Sequence, residues 1–243
     1  MALLKDFFIK EGNFLFRWRS YIPLLFILII FISLQNFYYP KNKHNYDVLW
    51  EFVCLGISLF GLSIRIVTVG FTPEGTSGRN TEKQIAEQLN TTGLYSIVRN
   101  PLYLGNFFMW VGPALFPRNI FVSILIFIIF FLYYERIIYV EEEFLLKKFG
   151  NDYKKWAEKT PLFIPNFKLW KKPEQKFSYK KVIKKEYNGF FALICVFTLL
   201  EIIGDYFVQK YLEFDKIWLI LFVISFIIFI SIKILKKFTK FLN

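Results

Sequence analysis

The chain has 243 residues, of which 55% are hydrophobic and 21% aromatic, with 32 Phe and a mean hydropathy of +0.40. Several apolar runs approach the roughly 20 residues that cross a bilayer, which excludes an ordinary soluble domain, and hydrophobicity this high excludes disorder. Two Cys exclude a disulfide-rich scaffold, and the net charge of +12 fits basic loops resting on anionic lipid better than nucleic-acid binding.

In chain order, the sequence predicts an all-α, polytopic membrane bundle of about six transmembrane helices and no Rossmann domain. The N-terminal arm carries Lys5, Lys10, Arg17 and Arg19 ahead of an apolar run too long for a cleavable signal. The six segments fall at about 21–39, 48–71, 102–116, 119–140, 189–208 and 217–235. The third is short and interrupted by Gly105, Gly112 and Pro113, so with the fourth it makes a tight hairpin. Three regions result: 1–47, an arm and first helix; 48–167, a core; and 168–243, a basic linker with two further helices.

Lys and Arg set the expected orientation. The arm holds four, loop 72–101 three, loop 141–188 thirteen and the C-terminal end from Lys233 four, against five in the opposite loops. The positive-inside rule then puts both termini and both long loops in the cytoplasm. The inner membrane of a bacterium is the expected location.

Ionisable residues inside spans are functional candidates. Glu51 and Asp205 fall near span ends, where water would explain them. Arg65 lies deeper and could pair with Glu135. Glu201 and Asp205 share a helix face. Glu135, Arg136, Glu141, Glu142 and Glu143 crowd the end of the fourth segment, which should run on to Phe149 before Gly150 caps it. Acids near a helix C-terminus oppose the macrodipole, so they contribute little to the fold. His44, the only histidine, has no partner at metal-ligand spacing, and no metal is expected. Cys54 and Cys195 sit in apolar spans as small hydrophobes.

The second concentration is Gly93 to Gly105. Pro101 begins the third helix, where its missing N–H costs nothing. Asn100 stands at the capping position, and N–H groups at a helix start favour an anion.

Arg99-Asn100-Pro101-Leu102-Tyr103-Leu104-Gly105 resembles the R-H-P-x-Y-x-G motif of the isoprenylcysteine carboxyl methyltransferase and phospholipid methyltransferase family. Glu141-Glu142-x-x-Leu145, Phe149-Gly150-x-x-Tyr153 and Pro161 to Pro165 resemble the family's later motifs, and order and spacing agree over about 56–167. The resemblance implies a membrane-embedded methyltransferase using S-adenosyl-L-methionine, held at the cytoplasmic end between the two motifs. It places Glu87, Gln88, Leu89, Asn90, Tyr95, Asn100, Pro101, Leu102, Tyr103 and Glu141 around that cofactor, with Asn80 less securely. It points to Arg136 as the substrate-contacting arginine, although one residue out of the family's register; by their chemistry Arg99 or Arg136 could hold an acidic head group and Glu142, like Glu141, could accept from cofactor hydroxyl or amino groups, so Arg99, Arg136 and Glu142 form the expected catalytic side. Asn100 and Glu87 stand where the family has histidines, and the C-terminal helix pair extends beyond the family's usual end.

Methyl transfer to an already ionised oxygen needs no strong general base, and the amide at Asn100 cannot shuttle a proton. A membrane lipid with an acidic head group is therefore the expected acceptor. The stretch from Gly75 to Thr81 and on through Asn90-Thr91-Thr92-Gly93 resembles bacterial members of the family, among which lipid A 1-phosphate methyltransferases occur. An isoprenylcysteine carboxylate and the nitrogen of phosphatidylethanolamine are the competing acceptors. A transporter or a catalytically dead assembly factor is the non-enzyme alternative.

Overall fold

The computed structural model describes residues 3–73, 84 and 86–239. Eight α-helices account for most of them: α1 (Leu4–Arg17), α2 (Ile22–Ser33), α3 (His44–Phe71), α4 (Pro101–Leu115), α5 (Ile120–Phe149), α6 (Asn151–Lys159), α7 (Tyr179–Gln209) and α8 (Lys216–Phe238). Among the described residues the β-type pairing is one isolated bridge, Gly93 with Lys171. The all-helical class follows from the sequence, because long apolar runs have nowhere in lipid to leave an unpaired backbone group.

Four helices, α3, α5, α7 and α8, are long and apolar enough to cross a membrane. They have 28, 30, 31 and 23 residues, against the roughly 20 required. The chain is an integral membrane protein. The six expected segments survive as helices, but two are not full spans. α4 has 15 residues, about 22 Å at 1.5 Å per residue, short of the roughly 30 Å hydrocarbon layer. The first expected segment is α2 with a 3₁₀ turn to Asn36, bent by 79° from α1. α1 is a helix in its own right, and its Gly12 packs against α5 where a Cβ would meet Val140 and the Arg136 carbonyl.

Helix ends obey local chemistry. The Asn119 side chain accepts from the N–H groups of Phe121 and Val122 and starts α5. Gly150, at φ +53°, ends it. Ser178 and Asp215 cap α7 and α8 in the same way as Asn119. Asn100 occupies the N-cap of α4 without a side-chain cap bond; its amide donates to the Leu162 carbonyl at 3.2 Å. The capping role expected of that side chain is corrected accordingly.

The tightest helix pair is α3 with α4. At Gly105 a Cβ would stand 2.6 Å from Arg65 Cγ and 2.8 Å from the Gly61 carbonyl. The two backbones touch there because neither residue has a side chain, the usual way for membrane helices to approach closely. At the far end of the bundle an aromatic column fills the core. Phe37 stacks on Phe116 at 5.8 Å, Phe116 meets Phe197 edge-on at 5.9 Å, and Phe197 stacks on Trp218 at 5.9 Å. α8 completes the column but is otherwise peripheral: Trp218 and Ser225 are its buried residues, whereas α7 buries ten.

Candidate functional site

One end of the bundle encloses a cavity of about 600 Å³, inside the range of small-molecule sites. Arg65 and Val69 of α3, Gln84, Ala86, Gln88 to Asn90 and Trp156 line it, together with four further groups of residues. The turn before α4 supplies Tyr95, Arg99 and Asn100, and α4 itself Leu102, Tyr103, Asn106, Met109 and Trp110. α5 supplies Tyr134, Glu141, Phe144 and Leu145. The elbow between α1 and α2 adds Phe16, Arg19, Ser20 and Leu24, and α7 adds Glu186, Asn188, Gly189 and Ala192.

The turn is held by a strap from the segment after α6. Arg99 N–H donates to the Pro161 carbonyl at 2.8 Å, Asn166 N–H to the Ile97 carbonyl at 2.9 Å, and Lys171 N–H to Ser96 Oγ at 2.9 Å. Trp156 Nε1 donates to the Tyr95 carbonyl at 3.2 Å. These bonds fix a non-regular backbone beside the cavity without a sheet. Burial, reinforced by the Glu141 carboxylate, pushes the Tyr95 phenol up, so it remains a neutral donor.

Three guanidiniums surround the space. Arg65 makes a fork-to-fork pair with Glu186, Nε to Oε2 and Nη2 to Oε1 both at 2.8 Å, and donates from Nη1 to Asn106 Oδ1 at 2.7 Å. Asn106 Nδ2 then donates to the Tyr134 hydroxyl at 2.9 Å. Arg99 pairs with Glu142 at 2.7 Å, and Arg19 lies 3.5 Å from Glu141. Glu141 thus faces the cavity beside Tyr103 while Glu142, next in sequence, turns to Arg99. Two buried donors on the wall, Gln84 Nε2 and Arg99 Nε, have no hydrogen-bond partner among the described residues.

Gln88, Leu89, Asn90, Tyr95, Arg99, Asn100, Leu102, Tyr103 and Glu141 all line this one cavity. Pro101 is buried in the first turn of α4, outside the lining. Glu87 is exposed. Glu142 reaches the site only through Arg99. Arg136 stands apart: it sits over the Phe8 ring at 3.8 Å and pairs with Glu11 and Glu135. Asn80 and the stretch from Gly75 to Thr81 lie outside the described residues.

Three sequence expectations need correction. Arg65 pairs with Glu186 and not with Glu135, which is exposed beside Arg136. Glu51 and Asp205 do not reach water: they are 0% and 2% exposed. His44 has neighbours, with Nε2 at 3.9 Å from Glu201 and 3.8 Å from Asp205. Arg19, Asn106 and α7 contribute to the cavity without having been expected there. Arg65 and Asn106 carried a signal, as polar side chains inside apolar segments; their partners did not.

The bundle and its site define a class: an integral membrane protein with a half-open, three-arginine pocket at one end and an apolar wall running into the span region. Residues 52–152 match the family model described as phospholipid methyltransferase. The chain is 28% identical over 161 residues to the nickel-cobalt-cadmium resistance protein NccN of Alcaligenes xylosoxydans xylosoxydans, covering 65% of this chain and 70% of that one. It is 33% identical over 116 residues to the protein-S-isoprenylcysteine O-methyltransferase of Schizosaccharomyces pombe, covering 47% of each. The enzyme of the same name from Saccharomyces cerevisiae is 29% identical over 162 residues, covering 64% of this chain and 67% of that one. No solved structure matches. Residues 52–152 are thus similar to the membrane methyltransferases that include the phospholipid and isoprenylcysteine enzymes.

Proposed function

We propose that the protein is a methyltransferase that binds S-adenosyl-L-methionine in the cavity and methylates the acidic head group of a membrane lipid, a lipid phosphate first of all. One observation carries the reading. Tyr95, Arg99, Asn100, Leu102 and Tyr103 on one side and Glu141 on the other, far apart in sequence, face the same cavity. The fit is supported by the wall itself. Gln84 Nε2 and Arg99 Nε are buried donors awaiting an acceptor, as the cofactor's carboxylate or an acidic head group would provide. Glu141 offers the matching acceptor for hydroxyl or amino groups.

The cofactor supplies an activated methyl group; the protein's work is alignment and exclusion of water. Tyr95 and Tyr103 close one side with neutral phenols. Glu142 holds Arg99 in place by a charge-assisted pair, leaving its Nε available. Asn106 keeps Arg65 aimed through the same cavity. A carboxylate or phosphate oxygen arrives ionised at neutral pH, so no residue here has to remove a proton. The apolar side of the cavity, with Leu24, Ile27, Trp110 and Val196, suits an acyl or prenyl chain. The basic 168–185 linker suits an anionic leaflet. On the same reading both termini face the cytoplasm of a bacterial inner membrane.

The second reading, a prenylated cysteine carboxylate as acceptor, is favoured by the two yeast relatives. Purified protein with methyl-labelled cofactor and a panel of phospholipids, lipid A and a farnesylcysteine separates the two. Label in a phosphate-bearing lipid supports the first reading; label in a base-labile ester of farnesylcysteine supports the second. Glu141→Ala and Tyr103→Ala should each abolish cofactor binding with membrane insertion intact, and unchanged binding by either refutes the assignment.

A further inference from the structure

At the end of the bundle opposite the cavity, α3, α7 and α8 bury a second polar cluster that methyl transfer does not use. Asp47 and Glu51 lie one turn apart on α3, and Glu201 and Asp205 one turn apart on α7. All four are at most 2% exposed. Arg65, at the cavity, is roughly 21 Å further along α3 than Glu51 at about 1.5 Å per residue.

Asp47, Glu51 and Glu201 each place one carboxylate oxygen within 4.8 Å of the others. Like charges so close repel strongly away from water. Part of the cluster is balanced. Asp47 Oδ1 accepts from Arg118, and Glu51 Oε2 accepts from Trp218 Nε1 at 2.7 Å. Asp205 accepts from the Tyr39 hydroxyl at 2.8 Å and faces His44. The remainder is not. Asp47 Oδ2, Glu51 Oε1 and both oxygens of Glu201 are buried with no hydrogen-bond partner among the described residues. Glu201 is the sharpest case, being 1% exposed with no hydrogen bond to either oxygen and His44 Nε2 standing 3.9 Å from Oε1. A carboxylate retained in this state without a hydrogen-bond partner costs far more than an apolar residue of the same size.

We propose that Asp47, Glu51 and Glu201 together bind a divalent cation. The geometry suits one. Oxygens at about 2.3–2.6 Å from a Ca²⁺-sized ion lie at most about 5 Å apart across it, and the three here fall within that span. The charge suits one too, since the four buried carboxylates against the Arg118 guanidinium leave three negative charges. The donors are all oxygen, which selects a hard ion of the Ca²⁺, Mn²⁺ or Mg²⁺ type over softer metals. Bound there, the ion joins α3 of the core to α7 of the C-terminal pair.

The test uses the full chain in detergent or nanodiscs, stripped with chelator, with Mn²⁺ as the probe. Loss of the free aqueous Mn²⁺ spin-resonance signal should be saturable at one ion per chain and reversed by Ca²⁺. Glu201→Gln and Glu51→Gln should each weaken uptake by at least the roughly 10–100-fold that loss of a ligand-supporting group causes. Glu213→Gln, on the exposed α7–α8 loop, should leave it unchanged. The proposal is overturned if the unsubstituted chain takes up no Mn²⁺, in which case shared protons balance the cluster. It is equally overturned if Glu201→Gln, with its helical circular dichroism preserved, binds as the unsubstituted chain does. Because the first measurement is on the unsubstituted chain, misfolding of a variant cannot rescue or sink the result.

Discussion

At the scale of single residues, the Arg65–Glu186 pair ties α3 to α7 on the cavity wall. Its two parallel bonds and the Asn106 bond use most of the guanidinium's donors, and Glu186 is 4% exposed. Removing one member strands the other in a poorly solvated place, which costs about 3–5 kcal/mol, whereas replacing both with apolar groups is often neutral. Glu186→Ala should therefore lower thermal stability sharply. Arg65→Met with Glu186→Leu should recover most of it, yet recover no methyl transfer, because the cavity has lost a guanidinium and the anchor of Asn106. Thermal unfolding in detergent and the labelled-cofactor assay read the two effects separately. A double variant that is stable and fully active would remove Arg65 from the site. This pair was invisible in the sequence: its members are 121 positions apart, and a nearer acid, Glu135, offered a more economical partner. Glu141 and Tyr103 were legible because a motif with fixed spacing names them.

At the scale of elements, the α3–α4 crossing carries the site, since Arg65 is on one helix and Tyr103 and Asn106 are on the other. Gly105→Ala would push a methyl group against Arg65 Cγ and the Gly61 carbonyl. Backbone cannot yield as a side-chain tip can, so an overpacking cost of about 1–3 kcal/mol is expected, with Arg65 displaced and cofactor affinity reduced. At Gly56, on the same α3, an added methyl group would meet nothing within 4 Å. Gly56→Ala should be neutral or stabilising by about 0.5–1 kcal/mol, since alanine is the better helix former. A thermal shift of equal size and sign for both would show that the crossing is looser than its geometry implies. Helix positions themselves were largely readable. The expected segment 102–116 is α4 to within a residue at each end, because Pro101 starts it and Pro117 follows it. α1 was not readable as an element from the charge pattern of the arm. Its docking on α5 depends on Gly12, a tertiary fit with no local signature.

At the scale of the whole molecule, the two C-terminal helices divide: α7 is part of the cavity wall and α8 is not. α7 supplies Glu186 and a stretch of wall from Asn188 to Val196, while α8 touches the cavity nowhere and packs Trp218 against Glu51 and Phe197 at the opposite end. The sequence could place these helices but not assign them, since their contacts with α3 join residues more than a hundred positions apart. The two helices should consequently fail in different ways when removed. A chain ending after Gln209 keeps the whole cavity wall, so it should still bind cofactor. It should be less stable, because Trp218 no longer covers the buried acids and Phe197 loses its stacking partner. A chain ending after Pro173 leaves Arg65 without Glu186 and opens one side of the cavity to lipid, so binding should be lost outright. Cofactor binding by both truncated chains, measured on protein extracted from the same membranes, is the comparison that decides it. Equal loss from the two would mean that α8 supports the site through α7. Retention by the shorter chain would return the function to residues 1–173 alone and leave the buried Arg65–Glu186 pair as a device of assembly.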